Sequence, residues 1–81
     1  MKQRLYVIYD VVSQESSNIM QAKNDALAYR MYERAIHDNP DGNDFALYRI
    51  GEFDTERMTG NFNSVPEKVT GFEGGKEDVG I

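Results

Sequence analysis

The chain has 81 residues, no cysteine, and nine basic against fourteen acidic residues, a net charge of −5. One domain of this length buries only roughly 60–65% of the surface its unfolded form exposes, enough for a helix on one small sheet but not for a deep cleft as well. Missing cysteine excludes disulfides and thiolate metal sites and suits a reducing compartment.

The longest apolar run, Leu5 to Tyr9, is far short of the roughly 20 residues of a membrane span, and MKQRLYVIYD lacks the apolar stretch of a signal peptide. A cytosolic protein without membrane contact is expected. The acidity opposes broad nucleic-acid binding, which rests on clustered Lys and Arg, so DNA contact requires a local basic patch.

In chain order, Leu5 to Val12 reads as the strongest strand. Leu5, Val7, Tyr9 and Val11 fall on one face and Tyr6, Ile8, Asp10 and Val12 on the other, so both faces are largely apolar, as in a central or interface strand. Ser13 to Ser17 is a polar turn, and Asn18 to Lys23 is a weaker strand that pairs back. Asn24 or Asp25 caps a helix over Asp25 to His37. At about 100° per residue, Leu27, Ala28, Met31, Tyr32, Ala35 and Ile36 form one arc, with Arg30, Glu33, Arg34 and His37 opposite. DNPDGND ends it, with Pro40 unable to continue the ladder. It lacks the alternating oxygen ligands and final Glu of a calcium loop.

Phe45 to Phe53 is the third strand, with Phe45, Leu47, Arg49, Gly51 and Phe53 on one face and Ala46, Tyr48, Ile50 and Glu52 on the other. Gly51 marks a bulge or a close backbone approach. Residues 54–60 turn the chain, Gly60 being suited to positive φ. A fourth strand starts near Asn61-Phe62 and is interrupted or at an edge at Pro66. After Phe72 the sequence EGGKEDVGI sets one Lys against three carboxylates; a frayed acidic tail over 73–81 is expected. The fold class is α+β: an antiparallel ββαββ sheet with one amphipathic helix on one face, over 1–72.

Glu52 and Asp54 could bind Mg²⁺ only with further ligands; Asp54 starting a turn through its own backbone is the simpler reading. Asp10 caps its strand or accepts from the helix N-terminus, since a bare carboxylate there is costly. His37 stands at the helix C-terminus, where a cation is favoured, and no nucleophile and base are arranged for catalysis. No enzyme, metal site or cofactor is expected. An aromatic sheet face flanked by cations grips single strands by stacking and phosphate contact. The candidates for such contacts are Arg4, Tyr6, Lys23, Arg30, Arg34, Tyr48 and Arg49. The competing reading of the tyrosines is core or interface.

LYVIYD, AKNDALAYRMYERAI and DFALYRIGEFDTERMTG together resemble the small nonstructural protein of gokushovirus-type microviruses, phages with circular single-stranded DNA. The shared pattern sits at Tyr9-Asp10, at Asn24-Asp25 with Ala28 and Arg30, and at Leu47 to Asp54 with Gly60. It spans about residues 4–62; the turn before Gly60 is longer here and the C-terminus is individual. The resemblance implies a DNA-binding accessory role in the switch from duplex replication to single-strand synthesis and packaging, in the cytoplasm of the infected bacterium. It transfers no site residues. A second class is an acidic adaptor that binds a phage or host replication protein without touching DNA. One helix covers one sheet face only, so a homodimer is expected to cover the other.

Overall fold

The computed structural model describes residues 1–72; the expected tail, 73–81, lies outside the described residues. β1 (Lys2–Asp10) is the central strand. β2 (Glu15–Ser16) and β3 (Met20–Ala22) follow, then α1 (Asp25–Ile36), a short 3-10 turn at Gly42–Asp44, β4 (Phe45–Asp54) and β5 (Thr59–Lys68). The sheet order is β2-β1-β4-β5, with β3 beside β2 on the same edge of β1, and every pairing is antiparallel. This is the expected α+β, ββαββ layout with one change. The second strand is in two pieces: at Ser17 the side-chain hydroxyl takes the Ile8 N–H at 2.9 Å while the Ser17 N–H still donates to the Ile8 carbonyl at 2.8 Å, and the first piece, Glu15–Ser16, lies within the expected turn over Ser13 to Ser17.

α1 starts where the sequence places it. Asn24 caps it, its side-chain oxygen accepting the Leu27 N–H at 2.9 Å. Ala28 and Tyr32 are buried against Tyr6 and Ile8 of β1, Ala22 of β3, Leu47 of β4, and Val69 just after β5. The Tyr32 hydroxyl donates to the Phe45 carbonyl at 2.8 Å, which ties the helix to the start of β4. The even-numbered face of β1 is thus the helix side, and Val7 and Tyr9 face away.

The two tight hairpins share one design. Asp10 Oδ1 accepts the N–H groups of Val12 and Ser13, and Asp54 Oδ1 those of Glu56 and Arg57. The Asp54 carboxyl is held below the usual range chiefly by the Glu56 N–H. At Asp10, partial desolvation acts upward and the Val12 and Ser13 N–H groups outweigh it. Each turn ends on a left-handed residue, Gln14 (φ 61) and Met58 (φ 55). Positive φ therefore falls on Met58, and Gly60 lies inside β5.

The left-handed conformation costs a side-chain-bearing residue roughly 1–2 kcal/mol, and Met58 is 78% exposed, so little packing offsets it. Met58→Gly is expected to stabilise the domain by about 0.5–1 kcal/mol after the extra freedom of glycine in the unfolded chain is counted. Thermal unfolding checks this; the midpoint rises by about 3–6 °C, and a lowered midpoint contradicts it.

A bulge changes the faces of β4. Arg49 pairs with Tyr6 and Gly51 with Leu5, leaving Ile50 as the extra residue. Beyond it the alternation inverts: Glu52, opposite Arg4, registers on the helix side, and Phe53, opposite Gln3, on the open side. The strict alternation expected for Phe45 to Phe53 holds only as far as Arg49. β5 answers with an irregular stretch between Phe62 and Glu67, where Pro66 falls.

Candidate nucleic-acid interface

The seven candidate residues occupy four separate places. Arg4, Tyr6 and Arg49 converge on Asp25, the first residue of α1. The Tyr6 hydroxyl donates to Asp25 Oδ1 at 2.5 Å, Arg4 Nη1 donates to Oδ1 at 3.2 Å, and Arg49 Nη1 reaches both carboxylate oxygens at 3.2 Å. Arg49 Nη2 also pairs with Glu67 at 3.0 Å.

The Tyr6 ring is fully buried. Burial first, then the adjacent Asp25 carboxylate, push its hydroxyl up to about 12. Partial burial acts to raise the Asp25 pKa; the Tyr6 hydrogen bond and the Arg49 and Arg4 charges overcome it and hold the carboxyl below the usual range. Tyr6 offers no ring face for a base to stack on, and both arginines are drawn towards carboxylates. This corrects the expectation of a platform built from Arg4, Tyr6 and Arg49. The cluster pins the helix N-terminus to β1 and β4.

Tyr48 is on the opposite side of the sheet, edge-on to Tyr9 with ring centres 6.1 Å apart. With Val7, Ile50 and Pro66 these two rings line an open groove of about 300 Å³. No arginine of the candidate set borders it.

Arg30 and Arg34 are the remaining pair, with Lys23 exposed just before the helix cap. They lie one turn apart on the solvent side of α1, are exposed, and make no ion pair among the described residues. Both line an open cleft of about 900 Å³ between the second half of α1 and the loop into β4. Tyr29, Tyr32 and Phe45 supply its aromatic wall, and His37 its far rim. Tyr29 stacks on Phe72 with ring centres 5.5 Å apart and packs against Tyr32 at 5.3 Å. Glu33 and Asp38 also line the cleft, so two guanidiniums meet two carboxylates there, in a chain that carries −5 overall.

Sequence reasoning missed Tyr29 and Phe45 as cleft residues and Asp25 as a hub. Tyr29 directly precedes Arg30 in the sequence, which was the available signal; Asp25 was read only as a cap. Among the described residues no group of three or more His, Asp or Glu is placed to hold a metal ion, and no helix is long and apolar enough to cross a membrane.

A small α+β domain with an aromatic-walled cleft of mixed charge on its helix is the class that the geometry defines. The sequence family described as Phage ORF5 protein matches residues 3–73, nearly the whole chain. The chain belongs to that family and is a phage protein. No curated protein and no solved structure gives a significant match.

Proposed function

We propose that this phage protein is a nonstructural accessory factor of viral DNA replication and packaging of the gokushovirus type. In this reading it acts in the cytoplasm of the infected bacterium, in the switch to single-strand synthesis, and binds single-stranded DNA through the α1 cleft. One observation carries the reading: Arg30 and Arg34, without ion-pair partners among the described residues, border a cleft on which the half-buried rings of Tyr29 and Phe45 open, Tyr32 being buried behind them and Glu33 and Asp38 also lining it. Cations that follow a backbone beside rings that accept bases are the means by which single strands are held without sequence preference.

Two phosphate contacts give a weak, salt-sensitive complex, with a slope of log K against log salt of about −1.4. Fluorescence anisotropy of a labelled single-stranded oligonucleotide, with a duplex control, tests this. Micromolar affinity at low salt is expected, falling with salt and favouring the single strand. Arg30→Glu with Arg34→Glu is expected to abolish binding and leave thermal unfolding within about 0.5 kcal/mol, as exposed substitutions do. No binding at low salt overturns direct DNA contact.

A second reading is favoured by the net charge of −5 and by the engagement of Arg4 and Arg49 with Asp25 and Glu67. In it the protein is an adaptor for a phage or host replication protein. Capture of that partner from nuclease-treated lysate, together with no oligonucleotide binding, selects it.

A further inference from the structure

We infer that the open face of the sheet is the interface of a symmetric homodimer, two copies stacking sheet on sheet. The inference does not depend on whether DNA is bound. By register this face carries Val7 and Tyr9 of β1, Tyr48 and Phe53 of β4, and Phe62 of β5, with Leu5 on the same side but already buried within the chain. Phe62 is 67% exposed, and Val65, in the irregular part of β5, is 69% exposed. Tyr9 and Tyr48 meet edge-on at the centre of the groove.

The distribution of charge identifies the occupant. The described strands contain five carboxylates, and every one registers on the helix side: Asp10 and Glu15 opposite each other, Glu52 opposite Arg4, Asp54 opposite Lys2, and Glu67 opposite Arg49. The open face has no acidic position in its paired register, and Lys68, opposite Tyr48, is its one charged position there.

Two copies of a chain carrying −5 repel each other wherever carboxylates meet. This is the surface on which they do not. One lysine is too little for a nucleic-acid backbone and leaves little for an anionic membrane to attract. An apolar, uncharged surface is its own complement, and a two-fold axis places the same patch on both sides of the contact.

The size is sufficient when the whole face is used. Nine residues of β1 at ~3.3 Å each, and four strands abreast at ~4.8 Å, give about 570 Å² in projection. The pleated, side-chain-covered surface exceeds its projection. Specific interfaces begin at about 600 Å² per partner. A contact confined to the groove would fall short, so face-to-face packing at roughly 10 Å between sheets is the arrangement that fits.

Sedimentation equilibrium from low micromolar to about 200 µM tests the inference. Twice the chain mass of 9.3 kDa is expected at the upper end. Val7→Glu is expected to return the monomer mass with an unchanged far-ultraviolet circular dichroism spectrum.

If Val7→Glu fails to fold, single-cysteine variants keep the inference open to refutation, since the chain has no native cysteine. Ile50→Cys is expected to be joined into a covalent dimer by a short bis-maleimide, and Arg34→Cys on the helix side is not. A monomer mass throughout the range overturns the inference. So does cross-linking at Arg34→Cys with none at Ile50→Cys.

Discussion

Replacing Gly51 with valine is expected to unfold the domain, and alanine there to cost it more than about 3 kcal/mol. A Cβ built on Gly51 lies 2.3 Å from the Asn61 carbonyl oxygen and 3.0 Å from the Phe62 Cα. Both are backbone atoms of β5, so no rotamer change relieves the clash and the strands must part. Gly60 on β5, opposite Phe53, is under the same constraint, its added Cβ 2.7 Å from the Glu52 carbonyl oxygen. The two glycines let β4 and β5 pack closely beside the bulge.

Moving β5 away also withdraws Val69, which is buried in the core and whose N–H donates to the Leu47 carbonyl at 2.9 Å. Overpacking costs about 1–3 kcal/mol by itself, and loss of a buried valine about 1.5–3 more. A domain of this length has roughly 4–12 kcal/mol in total. Urea unfolding of Gly51→Ala, with Gly42→Ala as control, measures the effect. At Gly42 the added Cβ meets nothing nearer than Ile36 Cδ1 at 3.8 Å, and a change within about 1 kcal/mol is expected. Wild-type stability in Gly51→Ala would contradict the close approach.

Much of this architecture was legible from residue pattern. The Asn24 cap, the helix face of Ala28 and Tyr32, the turn begun by Asp54 and the closeness implied by Gly51 each depend on a local rule, and each holds in the structure. What was illegible depends on pairing. Gly51 announced a bulge at this point, but not that Ile50 is the extra residue or that the faces of β4 invert beyond it, which depends on β4 registering with both β1 and β5. The left-handed turn residue is Met58, which obeys no composition rule for positive φ; the geometry of the Asp54 turn imposes it.

The candidate site divides in the same way. Arg30 and Arg34 share a helix face by spacing alone, and they remain exposed together. Arg4, Tyr6 and Arg49 are close only because β1, β4 and the start of α1 meet, and once there they serve Asp25. The carboxylate-free open face was equally invisible, since it depends on which residues stand opposite one another.

Asp25→Ala is expected to destabilise the domain by about 2–3 kcal/mol, more than any other substitution in the polar cluster. Three donors lose their acceptor, but unequally. The Arg4 side chain is 44% exposed, and solvent screening leaves such an ion pair roughly 0–1 kcal/mol. Arg49 keeps Glu67 as a partner. The Tyr6 hydroxyl is buried, and a buried donor without an acceptor costs about 1–3 kcal/mol. The tyrosine contact therefore carries most of the loss, although the arginines carry the charge.

A double-mutant cycle separates the two. Tyr6→Phe with Asp25→Ala is expected to show a coupling of about 1–2 kcal/mol, and Arg4→Ala with Asp25→Ala under about 0.5. A larger coupling at Arg4 would reverse this order. The pH dependence follows from the same contacts. Tyr6 is raised to about 12 from about 10 in the unfolded chain, so its contribution is intact below pH 10 and is lost as pH rises from about 10 to 12. Asp25 is lowered, so its contribution is present above about pH 4 and fades as pH falls through its depressed pKa. Urea midpoints between pH 9 and 12 are expected to fall more steeply in the wild type than in Tyr6→Phe. Parallel curves would mean that the Tyr6 hydroxyl reaches solvent.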